Sequence, residues 1–173
     1  MTEPSATNSI ETPISREDYA AFIRQIELAS IWLKDLKVIN HNGPTTPEQG
    51  SLGFQRSANW ELSPGGFRSF CTYLVRLESS DALYLGMDVT FGLDFVSKKE
   101  MNDDVFSLFQ DVNLPVNTWP YLREIVANVM GRLGWASFTL PTFKVGTVPS
   151  TRPNPSGVEK KTTRSRQKKS VSS

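Results

Sequence analysis

Three consecutive stretches between Ser51 and Phe95 alternate apolar and polar residues, and two short turns join them. In SLGFQRSANWEL the even positions Leu52, Phe54, Ala58, Trp60 and Leu62 are apolar, interrupted by Arg56. The turn SPGG follows. In FRSFCTYLVRLE, residues Phe67, Cys71, Tyr73, Val75 and Leu77 share one side, with Arg68, Phe70, Thr72, Leu74 and Arg76 on the other. After SSDA, the run LYLGMDVTFGLDF sets Leu83, Leu85, Met87, Val89, Phe91, Leu93 and Phe95 against Tyr84, Gly86, Asp88, Thr90, Gly92 and Asp94. A period of two is that of half-buried strands. Turns this short make neighbouring strands antiparallel, so a three-stranded meander is expected.

A fourth strand is expected at Ala29–Ile39, in ASIWLKDLKVI. Its apolar residues fall on both sides: Ile31 and Leu33 on one, Leu28, Trp32, Leu36 and Val38 on the other. The loop NHNGPTTPEQG is long enough to let this strand pair with either edge of the meander. Ahead of it, Tyr19, Phe22, Ile23 and Ile26 form one helical stripe, with Ser15 as cap and Asp18 three residues on.

After Asn102 the period returns to 3.6. Asp103 or Asp104 can cap a short helix holding Val105, Phe106, Leu108, Phe109 and Val112, and Pro115 is expected to stop it. A second helix then opens at Thr118, with Pro120 in its first turn and Gly134 just past its end. Leu122, Ile125, Val126, Val129, Met130 and Leu133 form its apolar stripe. Residues 137–143 read as a short extended piece. The expected class is α+β: two layers, a four-stranded antiparallel sheet with helices packed on one face. Residues 15–146 make the domain, between polar tails at 1–14 and 147–173 expected to be disordered.

The chemistry available is sparse. His41 is the only histidine and Cys71 the only cysteine, so neither a zinc site nor an internal disulfide can be assembled, and no metal is expected. No nucleophile is marked beside His41, and no phosphate-binding glycine loop follows a strand. Asp88 and Asp94 alternate along one strand, as solvent-facing residues do. A catalytic role is therefore not expected. The start, MTEPSATNSIETP, lacks the basic and apolar segments of a secretory signal, and no apolar run approaches the ~18 residues of a membrane helix. The expectation is a cytoplasmic protein without membrane insertion.

Charge is unevenly distributed. The net charge is +1, yet Arg152, Lys160, Lys161, Arg164, Arg166, Lys168 and Lys169 face only Glu159 in the last stretch, so an acidic body carries a basic tail. Such a tail could meet nucleic acid or anionic lipid through phosphate charge, and with no aromatic residues interleaved base stacking is not expected.

More informative is an apolar excess. Phe70 and Leu74 stand opposite their strand's main stripe, and Ala127 and Gly131 sit four apart on the long helix, away from its stripe. A mid-helix glycine costs about 1 kcal/mol against alanine, which close approach of another backbone would repay. Both features point to self-association with apolar surface left over.

The segment Trp119–Pro141, WPYLREIVANVMGRLGWASFTLP, resembles the SecB family of export chaperones. Pro120, Tyr121, Arg123, Glu124, Arg132, Phe138, Thr139 and Leu140 match that family's motif. IWLKDLKV is similar to its first strand, and the order of elements agrees from Glu27 to Phe143. The resemblance implies a four-stranded sheet with the first strand beside the fourth, assembled as a dimer of dimers. It implies ATP-independent holding of unfolded preproteins in apolar grooves, with no cofactor. Trp32, Trp60, Trp119, Trp135, Phe138 and Leu140 would then bind clients, and Ile31, Leu33, Ala127 and Gly131 would form the oligomer interface. Asp35 and Asp88 match the positions that dock the translocation ATPase SecA, but a second acidic position of the first strand falls near Ile39. Ala136 and Ser137 replace the family's prolines, the usual last helix is missing, and the tail is basic. These departures look more like the SecB-like chaperones of toxin–antitoxin systems, whose client is an antitoxin.

Overall fold

The computed structural model describes residues 14–43, 50–79, 82–136 and 138–144. The expected tails, apart from Ile14, lie outside the described residues. The chain opens with helix α1 (Arg16–Ile23), capped by Ser15, whose Oγ accepts the Asp18 N–H and donates to the Asp18 carboxylate. Only Phe22 of this helix is fully buried. Ile26, expected on the helical stripe, instead begins the first strand, because the helix ends at the Arg24 cap.

The strands are β1 (Ile26–Asn40), β2 (Ser51–Ser63), β3 (Gly66–Ser79) and β4 (Ala82–Ser97), in the order β1-β4-β3-β2. All neighbours are antiparallel. The meander forms as its alternation requires, and β1 closes onto β4. At the β2–β3 turn, Pro64 precedes Gly65, whose φ of 79° few side-chain-bearing residues adopt. Gly66 has no room for a side chain, since a Cβ there would collide with the Phe95 carbonyl.

One face of the sheet carries the core. Phe67, Cys71, Tyr73 and Val75 of β3 and Leu85, Met87, Val89, Phe91, Leu93 and Phe95 of β4 are buried there. Helix α2 (Asp103–Arg132) covers them. At about 1.5 Å per residue it is about 45 Å long, roughly the length of the strands it crosses. Its N-cap is Asn102, whose side chain accepts the Val105 N–H; Asp103 and Asp104 sit in the first turn, where negative charge favours the helix dipole. At the other end Gly134 has φ of 74°, the Trp135 N–H bonds to Met130 O and the Gly134 N–H to Gly131 O, a Schellman closure.

Two expectations need correction. First, Pro115 does not end a helix. A single helix of 30 residues replaces the two expected, with Pro115 and Pro120 inside it. Proline removes a backbone donor, but Leu114 and Pro115 are buried against the core. Nearby carbonyls gain other donors: Asn117 Nδ2 to Asn113 O and Thr118 Oγ1 to Leu114 O, each at 2.7 Å. Second, β1 divides its apolar residues differently from the expected alternation, keeping only Trp32 and Ile39 among its large apolar side chains on the open face, opposite Gly92 and Gly86. Irregularities between Leu28 and Ser30 and between Leu33 and Asp35 shift its phase. Leu28, Ile31, Leu33, Leu36 and Val38 therefore pair with Phe95, Leu93, Phe91, Val89 and Met87, all on the helix side.

Candidate functional site

Because β1 is an edge strand, its helix-side row runs beyond the cover that α2 provides. Leu28, Leu33 and Leu36 remain exposed, Leu33 at 45 %. Helix α2 turns Tyr121, also 45 % exposed, toward the same region, with its ring 6.3 Å from that of Phe91. Between them lies a groove of about 170 Å³, lined by the apolar side chains of Ile31, Trp32, Leu33, Phe91, Tyr121 and Ile125, and by Glu124. Side chains of this kind normally go inside. Here they leave an apolar channel beside an unpaired strand edge.

The other side of α2 is filled. Trp119 packs its ring 5.8 Å from Phe54 of β2 and 6.1 Å from Tyr73 of β3. Arg56, which broke the alternation of β2, lies on this helix side and pairs with Asp111 of α2 at 2.7 Å. Tyr73 and Thr118 share a buried hydrogen bond of 2.6 Å; burial pushes the Tyr73 hydroxyl well above the usual tyrosine range. Residues 138–144 then lie beside α2 without regular secondary structure. Trp119 Nε1 donates to Pro141 O and Arg123 Nε to Leu140 O, both at 2.7 Å, and Phe143 lies 5.8 Å from the Trp119 ring. Leu140 is wholly buried, while Phe138 is 38 % exposed.

The open face of the sheet is polar but internally matched. Arg68 holds Asp94 through Nε at 2.7 Å and Arg76 holds Asp88 at 2.6 Å. The hydrogen bond from Arg68 keeps the Asp94 carboxyl below the usual carboxylate range. Asp88 and Asp94, expected simply to face solvent, are thus half-buried members of ion pairs. Thr72 and Thr90 bond across the strands, and the Lys34 ammonium sits 3.7 Å from the centre of the Phe70 ring.

The residues singled out from the sequence do not converge on one patch. Trp119 and Leu140 lie together in the filled groove, with Phe138 at its open end. Ile31 and Leu33 line the unfilled one. Trp32 pairs with Gly92 on the opposite face, under the Arg68 guanidinium. Trp60 sits at the start of α2, where Nε1 donates to Asp103 and the ring approaches Phe106. Trp135 is buried beyond the helix end and donates to Gly43 O. Asp35 is exposed on β1, opposite Thr90. Ala127 is half-buried, and a side chain at Gly131 would meet open space. Sequence reasoning did not assign Tyr121, Phe91 or Ile125 to a site. Tyr121 stands outside the helical stripe, and only the phase shift of β1 brings Leu33 opposite it.

Among the described residues no cluster of ligands could hold a metal, and no helix is long and apolar enough to cross a membrane. No family model matches the sequence, and no curated protein matches it. Among solved structures, the chain is similar to the Mycobacterium tuberculosis Rv1957 SecB-like chaperone in complex with a ChAD peptide from the Rv1956 HigA1 antitoxin. The TM-score is 0.64 at 16 % identity, covering 73 % of this chain and 97 % of that one. An antiparallel sheet ordered β1-β4-β3-β2, spanned on one face by a long helix, is thus the fold of a SecB-like chaperone.

Proposed function

We propose that this protein is an ATP-independent holdase that shelters non-native polypeptide on the apolar surface beside β1 and α2. The observation that carries the reading is the groove between Leu33 and Tyr121, open to solvent and lined by side chains that water disfavours. Each apolar side chain a client covers is worth roughly 1.5–3 kcal/mol, so several weak contacts suffice without a sequence code. An edge strand alongside offers main-chain groups to an extended partner. Trp32, which lines the same groove, and Trp119 extend the client surface on β1 and α2; Phe138 and Leu140 lie on the segment that packs over Trp119, and Trp60 and Trp135 are anchored elsewhere by the contacts described above and serve the scaffold.

Self-association uses the same logic. Ala127 and Gly131 on α2 are the proposed interface of a homo-oligomer, a dimer of dimers; Ile31 and Leu33 on β1, the other candidates, line the client groove and serve assembly only where a client does not cover them. Its cysteine is free and buried, which suits the reducing cytoplasm. An aggregation-prone antitoxin is the client class favoured here, since an antitoxin peptide is what the similar structure holds. Service to preprotein export through SecA is the second reading, carried by Asp35 and Asp88. It has less support, because Asp88 is already held by Arg76 and faces Lys37 across the strands. Contact with nucleic acid would fall to the basic tail, which deletion of Ser150–Ser173 isolates.

The test is light scattering of a chemically unfolded, aggregating protein with and without this chain, no nucleotide added. Sedimentation gives the assembled mass. Undiminished scattering at stoichiometric excess refutes the holdase, and a monomer at working concentration refutes the oligomer.

A further inference from the structure

We propose that residues 138–144 are a built-in surrogate client: they occupy a peptide clamp made by Trp119 and Arg123, and an extended apolar polypeptide takes their place. This rests on the holdase reading and assigns it a second, gated seat. The segment has no regular secondary structure and joins no strand of the sheet. What holds it is indifferent to most of its sequence. Arg123 Nε and Trp119 Nε1 bond to two successive main-chain carbonyls, those of Leu140 and Pro141. Every polypeptide carries such carbonyls. One side chain, that of Leu140, is fully buried, while Phe138, Thr139, Pro141 and Thr142 stay exposed. One aliphatic anchor flanked by main-chain acceptors is a recognition pattern that most unfolded chains satisfy within a few residues.

The retaining contacts include two hydrogen bonds, one buried leucine and the ring of Phe143 against Trp119. Against them stands the entropy of fixing the segment's backbone. A seat that is self-occupied most of the time binds clients with an affinity reduced by the fraction of time it is open.

The experiment measures binding of fluorescein-labelled, reduced and carboxymethylated α-lactalbumin to the full-length protein by anisotropy. Phe143→Ser loosens the segment from a half-exposed position, and Leu140→Ser unseats its anchor. Both are expected to bind the probe tighter, by about tenfold if the seat is open a tenth of the time. Adding Arg123→Met to either variant is expected to cancel the gain. Should Leu140→Ser fail to fold by circular dichroism, Phe143→Ser alone decides. Wild-type binding that neither variant improves overturns the clamp and leaves the holdase standing. No binding by wild type or by any folded variant overturns both.

Discussion

The indole of Trp32 on β1 fills the space that a side chain on Gly92 of β4 would need. The two are register partners on the open face, and Arg68, fixed by Asp94, lies over the ring with its guanidinium 5.3 Å from the centre. Gly92→Ala must therefore push the indole aside. The expected cost is about 1–3 kcal/mol, as for other overpacked sites, read from the urea midpoint together with a red shift of tryptophan emission. An unchanged midpoint would mean that Trp32 is not seated there.

Ser69 presents the opposite case. Its hydroxyl is fully buried on the helix face of β3, between Trp60 and Leu93 in register, and has no hydrogen-bond partner. Ser69→Ala relieves an unsatisfied polar group at nearly constant volume. It should raise stability by about 1 kcal/mol, with an unchanged urea m-value.

Tyr19 couples α1 to α2 by donating its hydroxyl to Asn113 Oδ1 at 2.6 Å. Burial, helped by the charge of Asp111, pushes this phenol up to about 12. A group whose pKa rises on folding favours the fold in its protonated form. Its contribution is complete below the unfolded value near 10 and fades as pH rises from about 10 to 12. Stability measured across that window should fall, and Tyr19→Phe should flatten part of the decline. Tyr73, raised in the same direction by its burial, accounts for a remainder.

Leu33 and Tyr121 face the open groove and are nearly half exposed. Leu33→Ser and Tyr121→Ser should leave monomer stability within about 0.5 kcal/mol, as surface substitutions do. They should weaken client holding or assembly, seen by light scattering and sedimentation. A large stability loss without a functional one would assign these residues to the core instead.

The meander was legible because alternation and short turns are local signals, and the Ser15 cap and the Gly134 closure because caps depend on neighbouring residues. Pairing of β1 with β4 came only from the resemblance, since a long loop permits either edge. Pro115 misled because local propensity disfavours a mid-helix proline, whereas the burial of Leu114 and Pro115 is decided by the sheet beneath. The irregularities of β1 left no mark in the apolar pattern, which sets Ile31 and Leu33 against Leu28, Leu36 and Val38 until the register shifts at Ala29 and Lys34 bring them to one side. Arg56 looked like a flaw in its strand until Asp111 supplied a partner from fifty-five residues away. The open groove was hidden for the same reason: Leu33 and Tyr121 are brought together by tertiary structure alone.

The central claim concerns greasy surface that is offered to other chains. The most direct measurement is light scattering of reduced, aggregating insulin incubated with the purified full-length protein and no ATP. A holdase lowers the scattering in proportion to its concentration, to completion near stoichiometry with the assembled oligomer. Scattering that stays at the level of an inert control protein at several-fold excess would contradict it.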